Sequence, residues 1–231
     1  MSSTPTRHQP GRQAAVALSW SGGKDCALAL HEMGGARLLL TTITRPYQRV
    51  TMHGVRRELV RAQAQAMGLT VWEVMLPAHC SNEVYEARMA TACRHLREAG
   101  IDTVAFGDLH LADVRAYREA QMARAGMRAA FPLWGREPAE VVRRFVELGF
   151  RAVVVCVDVA RVDPSWLGRP WDEALVAALP PGVDPCGEHG ELHTFVYDGP
   201  IFRHPVGFRP GRVVTRDGFA YLDLVPSQGL S

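Results

Sequence analysis

Short apolar runs alternate along the chain with longer segments in which apolar residues recur at helical spacing. Residues 14–20 (AAVALSW) form the first run, bounded by turn signals, the pattern of a strand buried on both faces. Ser21, Gly22 and Gly23 break it, and residues 25–33 then read as a helix ended by Gly34 and Gly35. Residues 37–44, rich in β-branched side chains, predict a second strand. The pattern continues with a helix over 53–67, a strand over 69–76, and a helix to residue 99 with Ser81 as its N-cap. A strand over 101–106 places Gly107 and Asp108 just past its carboxyl end. A helix over 115–125, a short strand over 127–133, a helix over 138–148 and a buried strand over 151–157 follow.

Strands alternating with helices predict parallel βαβ units with right-handed crossovers, an α/β doubly wound parallel sheet. From about Asp163 the texture changes, because Pro and Gly become dense up to Gly190. A short-strand pattern over 192–225 then predicts a smaller C-terminal α+β region packed on the α/β layer. The expected division is a disordered tail over 1–13, a nucleotide-binding domain over 14–135 and a substrate-binding domain over 136–231.

Composition narrows the class. The 231 residues carry 26 Lys+Arg against 24 Asp+Glu, a net charge of +2, with 47% hydrophobic residues. That excludes wholesale disorder, and the charge is too small to argue for nucleic acid or a membrane surface, whose binders usually show a concentrated basic face. No stretch approaches the ~18 apolar residues of a membrane helix. The five cysteines form no C-x-x-C pair, so they read as reduced thiols and the expected compartment is the cytoplasm. The sequence does not set the oligomeric state, although α/β proteins of this size commonly form homodimers.

The strongest chemical signal is Ser19-Trp20-Ser21-Gly22-Gly23-Lys24-Asp25 at the first strand-to-helix junction. Paired glycines let the backbone turn sharply and approach a ligand. The helix N-terminus that follows suits phosphate, Ser21 adds a hydroxyl, and Lys24 adds a point charge. A Walker A loop is absent. The bland alternative is an ordinary βα turn in which the glycines only permit tight packing.

This loop resembles the pyrophosphate loop of the ATP pyrophosphatases, with their adenine nucleotide alpha hydrolase-like fold. Further segments narrow the resemblance to the diphthine–ammonia ligase family. They are Phe106-Gly107-Asp108, Pro132-Leu133-Trp134-Gly135-Arg136, Asp163-Pro164-Ser165-Trp166-Leu167-Gly168-Arg169, Asp184-Pro185-Cys186-Gly187-Glu188-His189-Gly190-Glu191, and Thr194-Phe195-Val196-Tyr197-Asp198-Gly199-Pro200-Ile201-Phe202. The resemblance runs from Ala15 to about Phe202. It implies ATP in the cleft at the carboxyl ends of the strands, contacted by Ser19, Ser21, Gly22, Gly23, Lys24, Asp25, Cys26, His53 and Gly107. Lys24, Asp25 and Asp108 would be catalytic, with Asp25 and Asp108 as Mg²⁺ ligands. Trp166, Arg169, Glu188 and Glu191 would bind the acceptor.

The implied reaction adenylates a carboxylate, releases pyrophosphate and forms an amide with ammonia. In that family the acceptor is diphthine, a modified histidine of elongation factor 2.

Several residues admit two readings. Asp25 can hold Mg²⁺ or simply sit well in a helix's first turn. Asp108 can face the α-phosphate or cap the next helix. His53 can touch the nucleotide base or merely start a helix. Glu188 and Glu191 can bind an amine or be solvated loop charges. Trp166 can line the acceptor pocket or anchor its loop. Cys26 stands where the family usually has Ser and reads as a loop contact rather than a nucleophile. A zinc set of Cys186, His189 and His193 lacks a fourth ligand, and Gly190 interrupts any helix between the two histidines. Two other functions compete: a nucleotide sensor without turnover, and a tRNA-thiolation enzyme, against which the missing C-x-x-C weighs.

Overall fold

The computed structural model describes residues 16–227, so the expected tail over 1–13 and the first two residues of the expected first strand lie outside the described residues. The first half of the chain runs β1 (Val16–Ser19), α1 (Lys24–Glu32), β2 (Leu38–Thr44), β3 (Arg49–Val50), α2 (Arg57–Met67), β4 (Thr70–Leu76), α3 (Asn82–Glu98), β5 (Thr103–Ala105), α4 (Ala112–Arg124) and β6 (Arg128–Ala130). Helix boundaries follow local chemistry. The Ser81 hydroxyl accepts from the Val84 amide at the start of α3, and Gly68 ends α2 in the left-handed region.

β1 pairs in parallel with β2 on one side and β5 on the other, β2 with β4, and β5 with β6. The spatial order is therefore β4-β2-β1-β5-β6, while the short antiparallel β3 pairs with the far end of β2. Strand succession reverses between β1 and β5, and a doubly wound sheet opens its ligand crevice at that reversal.

Alternation along the central strands separates the two faces. Leu18, Leu39, Ile43 and Ala105 point into one core with α1 and α2, and Ala17, Leu40 and Val104 point into the other with Met89, Cys93, Leu96 and Met122 of α3 and α4. The doubly wound parallel architecture expected from the sequence is present.

The second half differs from expectation in one respect. After α5 (Pro138–Glu147), the apolar run at β7 (Arg151–Asp158) does not extend the parallel sheet. It joins β8 (Leu192–Asp198), β9 (Phe208–Arg216) and β10 (Phe219–Pro226) in an antiparallel sheet of order β8-β7-β10-β9. These strands are seven to nine residues long rather than short. The Pro/Gly-dense stretch between β7 and β8 holds a 3-10 turn, Pro164–Trp166, and the single-turn α6 (Glu173–Ala177).

The two sheets share one core. α1 contacts β1 and β8, and residues 26–30 of α1 are buried without a break, as a helix enclosed on all sides requires. α2 contacts β4 and β10. Arg49 and Arg56 both donate to Asp223 of β10 at 2.8 Å, which ties β3 and the start of α2 to the second sheet.

Candidate functional site

The loop between β1 and α1 is held from three directions. Gly22, at φ +86°, sits where a side chain would be strained, and a Cβ there would come 2.9 Å from Gln63 Oε1. The Gly22 carbonyl accepts from Gln63 Nε2 at 3.0 Å and from the Val196 amide of β8 at 2.9 Å. The Lys24 amide donates to Thr194 Oγ1 at 3.1 Å. Gly107 matters for the same reason of space: a Cβ there would lie 2.9 Å from the Asp25 carbonyl carbon and 3.0 Å from the Cys26 amide. Its absence lets the end of β5 lie directly against the first turn of α1.

A cavity of about 300 Å³ opens at this junction, at the small end of ligand pockets (roughly 300–1,000 Å³). Ser19, Ser21, Gly23, Lys24, Asp25, Cys26, His53, Gly107, Asp108 and Glu188 all line it. Nearly every residue assigned to ATP or catalysis thus meets in one place. Gly22 is the exception, since it shapes the loop from behind.

Lys24 is 4% exposed, and its ammonium bonds Asp25 Oδ2 at 2.9 Å and the Cys186 carbonyl. Burial is the largest influence and lowers its pKa, but the Asp25 charge and hydrogen bond, with Cys186 and Glu188, together outweigh burial and hold it above the usual lysine value. Asp25 is displaced upward, chiefly by burial, with Asp184 and Asp108 adding repulsion against the pull of Lys24. Its other oxygen, Oδ1, is buried without a hydrogen-bond partner. Glu188 is likewise raised by burial and by Asp25 and Asp108, while one of its oxygens accepts from the Leu109 amide at 3.0 Å. Crowded carboxylates and an orphaned oxygen fit a hard, oxygen-seeking cation such as Mg²⁺.

Three groups on the cavity wall were not assigned to it by sequence reasoning. Arg118 of α4 forms an ion pair with Asp108, donating from Nη2 to Oδ1 at 3.1 Å, and lies over the Phe106 ring. His193 stacks on His53 with ring centroids 4.2 Å apart, and Thr194 caps the loop. His53 does not begin a helix, as expected, but sits in the turn before α2, where Arg49 pairs with Thr44 of β2 and bridges to Arg56. Burial, together with the neighbouring His193 and Lys24, keeps His53 well below the ordinary histidine range. Burial and Lys24 bring His193 down to about 4. Both rings are therefore neutral at pH 7.

The remaining expectations land elsewhere. Trp166 and Arg169 stack on each other at 4.6 Å and do not line the cavity. Glu191 is fully buried and also absent from the lining. Its carboxylate accepts from the Asp184 amide, the His189 amide and Arg161, so it braces its own loop. Burial accounts for the difference, because Glu188 and Glu191 leave a glycine-hinged loop in different directions.

Cys26 is buried, donates to the Gly23 carbonyl and lies 3.5 Å from Ser21 Oγ. Burial raises its thiol, which fits a contact rather than a nucleophile. The considered zinc set disperses: Cys186 Sγ points to the Pro138 carbonyl, and His193 stacks on His53. Among the described residues no helix is long and apolar enough to cross a membrane.

A family model described as the diphthamide synthase N-terminal domain matches residues 14–129, and one described as the diphthamide synthase C-terminal domain matches residues 137–218. A diphthine–ammonia ligase of Bos taurus is 30% identical over 94 residues, 38% of this chain and 35% of its own length. One of Homo sapiens is 28% identical over 94 residues with the same coverage. The chain spans about a third of the length of these curated relatives.

Proposed function

This chain belongs to the diphthamide synthase family, and from that premise we propose that it is an ATP-dependent amide ligase of the diphthine–ammonia type, acting in the cytoplasm. The observation that carries the reading is the loop from Ser21 to Lys24, which opens α1 at the strand-order reversal while Asp108 and Glu188 face the same cavity. Amides at a helix N-terminus and a buried lysine suit a polyphosphate.

In the proposed reaction an acceptor carboxylate oxygen attacks the α-phosphorus of ATP. The new P–O bond forms as the bridge to the β-phosphate breaks, and pyrophosphate leaves. Lys24 exchanges its Cys186 carbonyl contact for the departing pyrophosphate and stabilises the charge gathering there. Asp25 and Asp108 would hold Mg²⁺, which neutralises phosphate charge when bound. Arg118 keeps the Asp108 carboxylate oriented. Ammonia nitrogen then attacks the acyl carbon, AMP departs and one proton is released. Glu188, held by the Leu109 amide, lines the same cavity and is available to a nitrogen nucleophile there.

The acceptor we propose is a modified protein side chain carrying a carboxylate, as the relatives' name implies. A sulfur-transfer reading has less support, because Cys26 and Cys186 are both buried and burial raises both thiols.

The test is pyrophosphate release from Mg-ATP with ammonium and acceptor. Release that requires both the acceptor and Lys24 supports the ligase. ATP binding without release for any carboxylate acceptor overturns it in favour of a nucleotide sensor.

A further inference from the structure

We propose that His110, Asp184 and His189 form a binding site for a first-row divalent metal of the zinc class, just outside the cavity that holds Lys24. One ligand atom from each of the three lies within 4.8 Å of the other two. His110 Nε2 is already 3.1 Å from Asp184 Oδ2, and the His110 and His189 rings meet edge-on with centroids 6.0 Å apart. Zinc bonds of roughly 2.0–2.1 Å in a tetrahedron place ligand atoms about 3.3 Å apart. The cluster must therefore close by about 1.5 Å at its widest. Both imidazoles are exposed and can swing by that amount.

The carboxylate is the fixed member. The Asp184 side chain is only 8% exposed, and its Oδ1 accepts from the Cys186 amide at 2.6 Å, which leaves Oδ2 turned toward His110. Behind it, fully buried Glu191 accepts from the Asp184 amide at 3.2 Å and from the His189 amide at 3.1 Å. One carboxylate thus sets the backbone under two of the three ligands, with Arg161 at 3.1 Å completing its own contacts. Outer contacts of this kind orient ligands in metal sites. They also give Glu191 a positioning role rather than a substrate contact.

Donor type selects the ion. Two imidazoles with one carboxylate favour zinc and its late first-row neighbours, whereas Mg²⁺ prefers oxygen ligands. With three protein ligands, one position remains for water. His110 immediately follows Leu109, whose amide holds Glu188, and His189 immediately follows Glu188 itself. A metal here would therefore clasp the loop after β5 to the segment that covers Lys24.

The experiment uses the full chain stripped of metal, with Zn²⁺ alone and Mg²⁺ alone as probes, and needs no substrate. The wild type is expected to take up one equivalent of Zn²⁺ and to show a higher Tm with it. Co²⁺ substitution is expected to give the visible absorption of a four-coordinate site. The double variant His110→Asn/His189→Asn should lose the bound equivalent, the Tm shift and the Co²⁺ bands, and Mg²⁺ should reproduce none of them in either protein. Because both histidines are exposed, the metal-free Tm should match that of the wild type. His110→Asn alone serves as the second variant if the double one folds poorly. Absence of uptake by the wild type overturns the site, as does equal uptake by wild type and variants, which would place zinc on the cysteines.

Discussion

The parallel and antiparallel sheets meet water differently and serve the cavity differently. β1 and β5 are enclosed by helices on both faces, and their residues offer the site almost nothing but backbone ends. β9, by contrast, is exposed along nearly its whole length, and its sheet touches the site only through β8 and the loop preceding it. The parallel sheet aims a helix N-terminus. The antiparallel sheet and its loops bring Thr194, His193, Glu188 and the Cys186 carbonyl to that helix. A rigid, dry sheet sets where the helix N-terminus lies, and the second sheet sets what stands opposite it.

The sharpest way to break this division is to remove the lysine that the parallel half places in the cavity. Lys24→Ala is expected to cut pyrophosphate release at least ~100-fold, in line with the loss of a single transition-state donor, and single-turnover kinetics would read it. Acid comes next. His193 is held down to about 4, and His53 is lowered as well, so between about pH 6.5 and 4 the unfolded chain binds protons that the folded one refuses. Stability should fall as pH drops through that window, at up to about 1.4 kcal/mol per pH unit for each histidine. Chemical denaturation at several pH values measures this slope, and His193→Gln should flatten it.

Asp223→Asn probes the tie between the sheets themselves. Its carboxyl is brought down to about 2 by Arg56 and Arg49 against the opposing effect of burial. The contribution is therefore present above about pH 4 and disappears toward pH 2. Because both arginines are about a third exposed, the expected loss at neutral pH is about 1–3 kcal/mol. Thr194→Val deletes the acceptor for the Lys24 amide, at about 1 kcal/mol, and should weaken ATP binding several-fold by calorimetry. Arg169→Ala should be the mildest. It removes a stacking contact worth roughly 0.5–1 kcal/mol and, since Arg169 lies outside the cavity, should leave turnover within about twofold.

What could be read from the sequence was what local chemistry decides. The apolar run ending at Trp20, the paired glycines and the helix after them follow from a dozen consecutive residues, and Ser81 caps α3 as expected. The run at β7 is different. Its unbroken apolar sequence states burial but not which sheet buries it, and only pairing with β8 and β10 settles that.

His53 illustrates a second limit. The segment over 53–67 has helical spacing throughout, yet β3 and the Arg49–Arg56 bridge convert its start into a turn that faces the cavity. Arg118 carries no local mark, and Thr194 stands in a segment noted only for its resemblance; each acquires its role from a partner at least ten residues away. Glu188 and Glu191 look equivalent in a glycine-hinged stretch, and only the direction each side chain takes out of the loop separates them.

The bond between the Gly22 carbonyl and the Val196 amide, beside that from the Lys24 amide to Thr194, has a consequence for the order in which the molecule is made. The residues of the loop before α1 leave the ribosome first, and the strand that completes it follows about 170 residues later. At roughly 5–20 residues per second the interval is on the order of ten to thirty seconds. A nascent chain carrying the entire parallel sheet still lacks the contacts that fix its loop. The contacts that fix this loop are therefore completed only once β8 has been made, and a truncated product that folds its first half correctly would leave the loop without them.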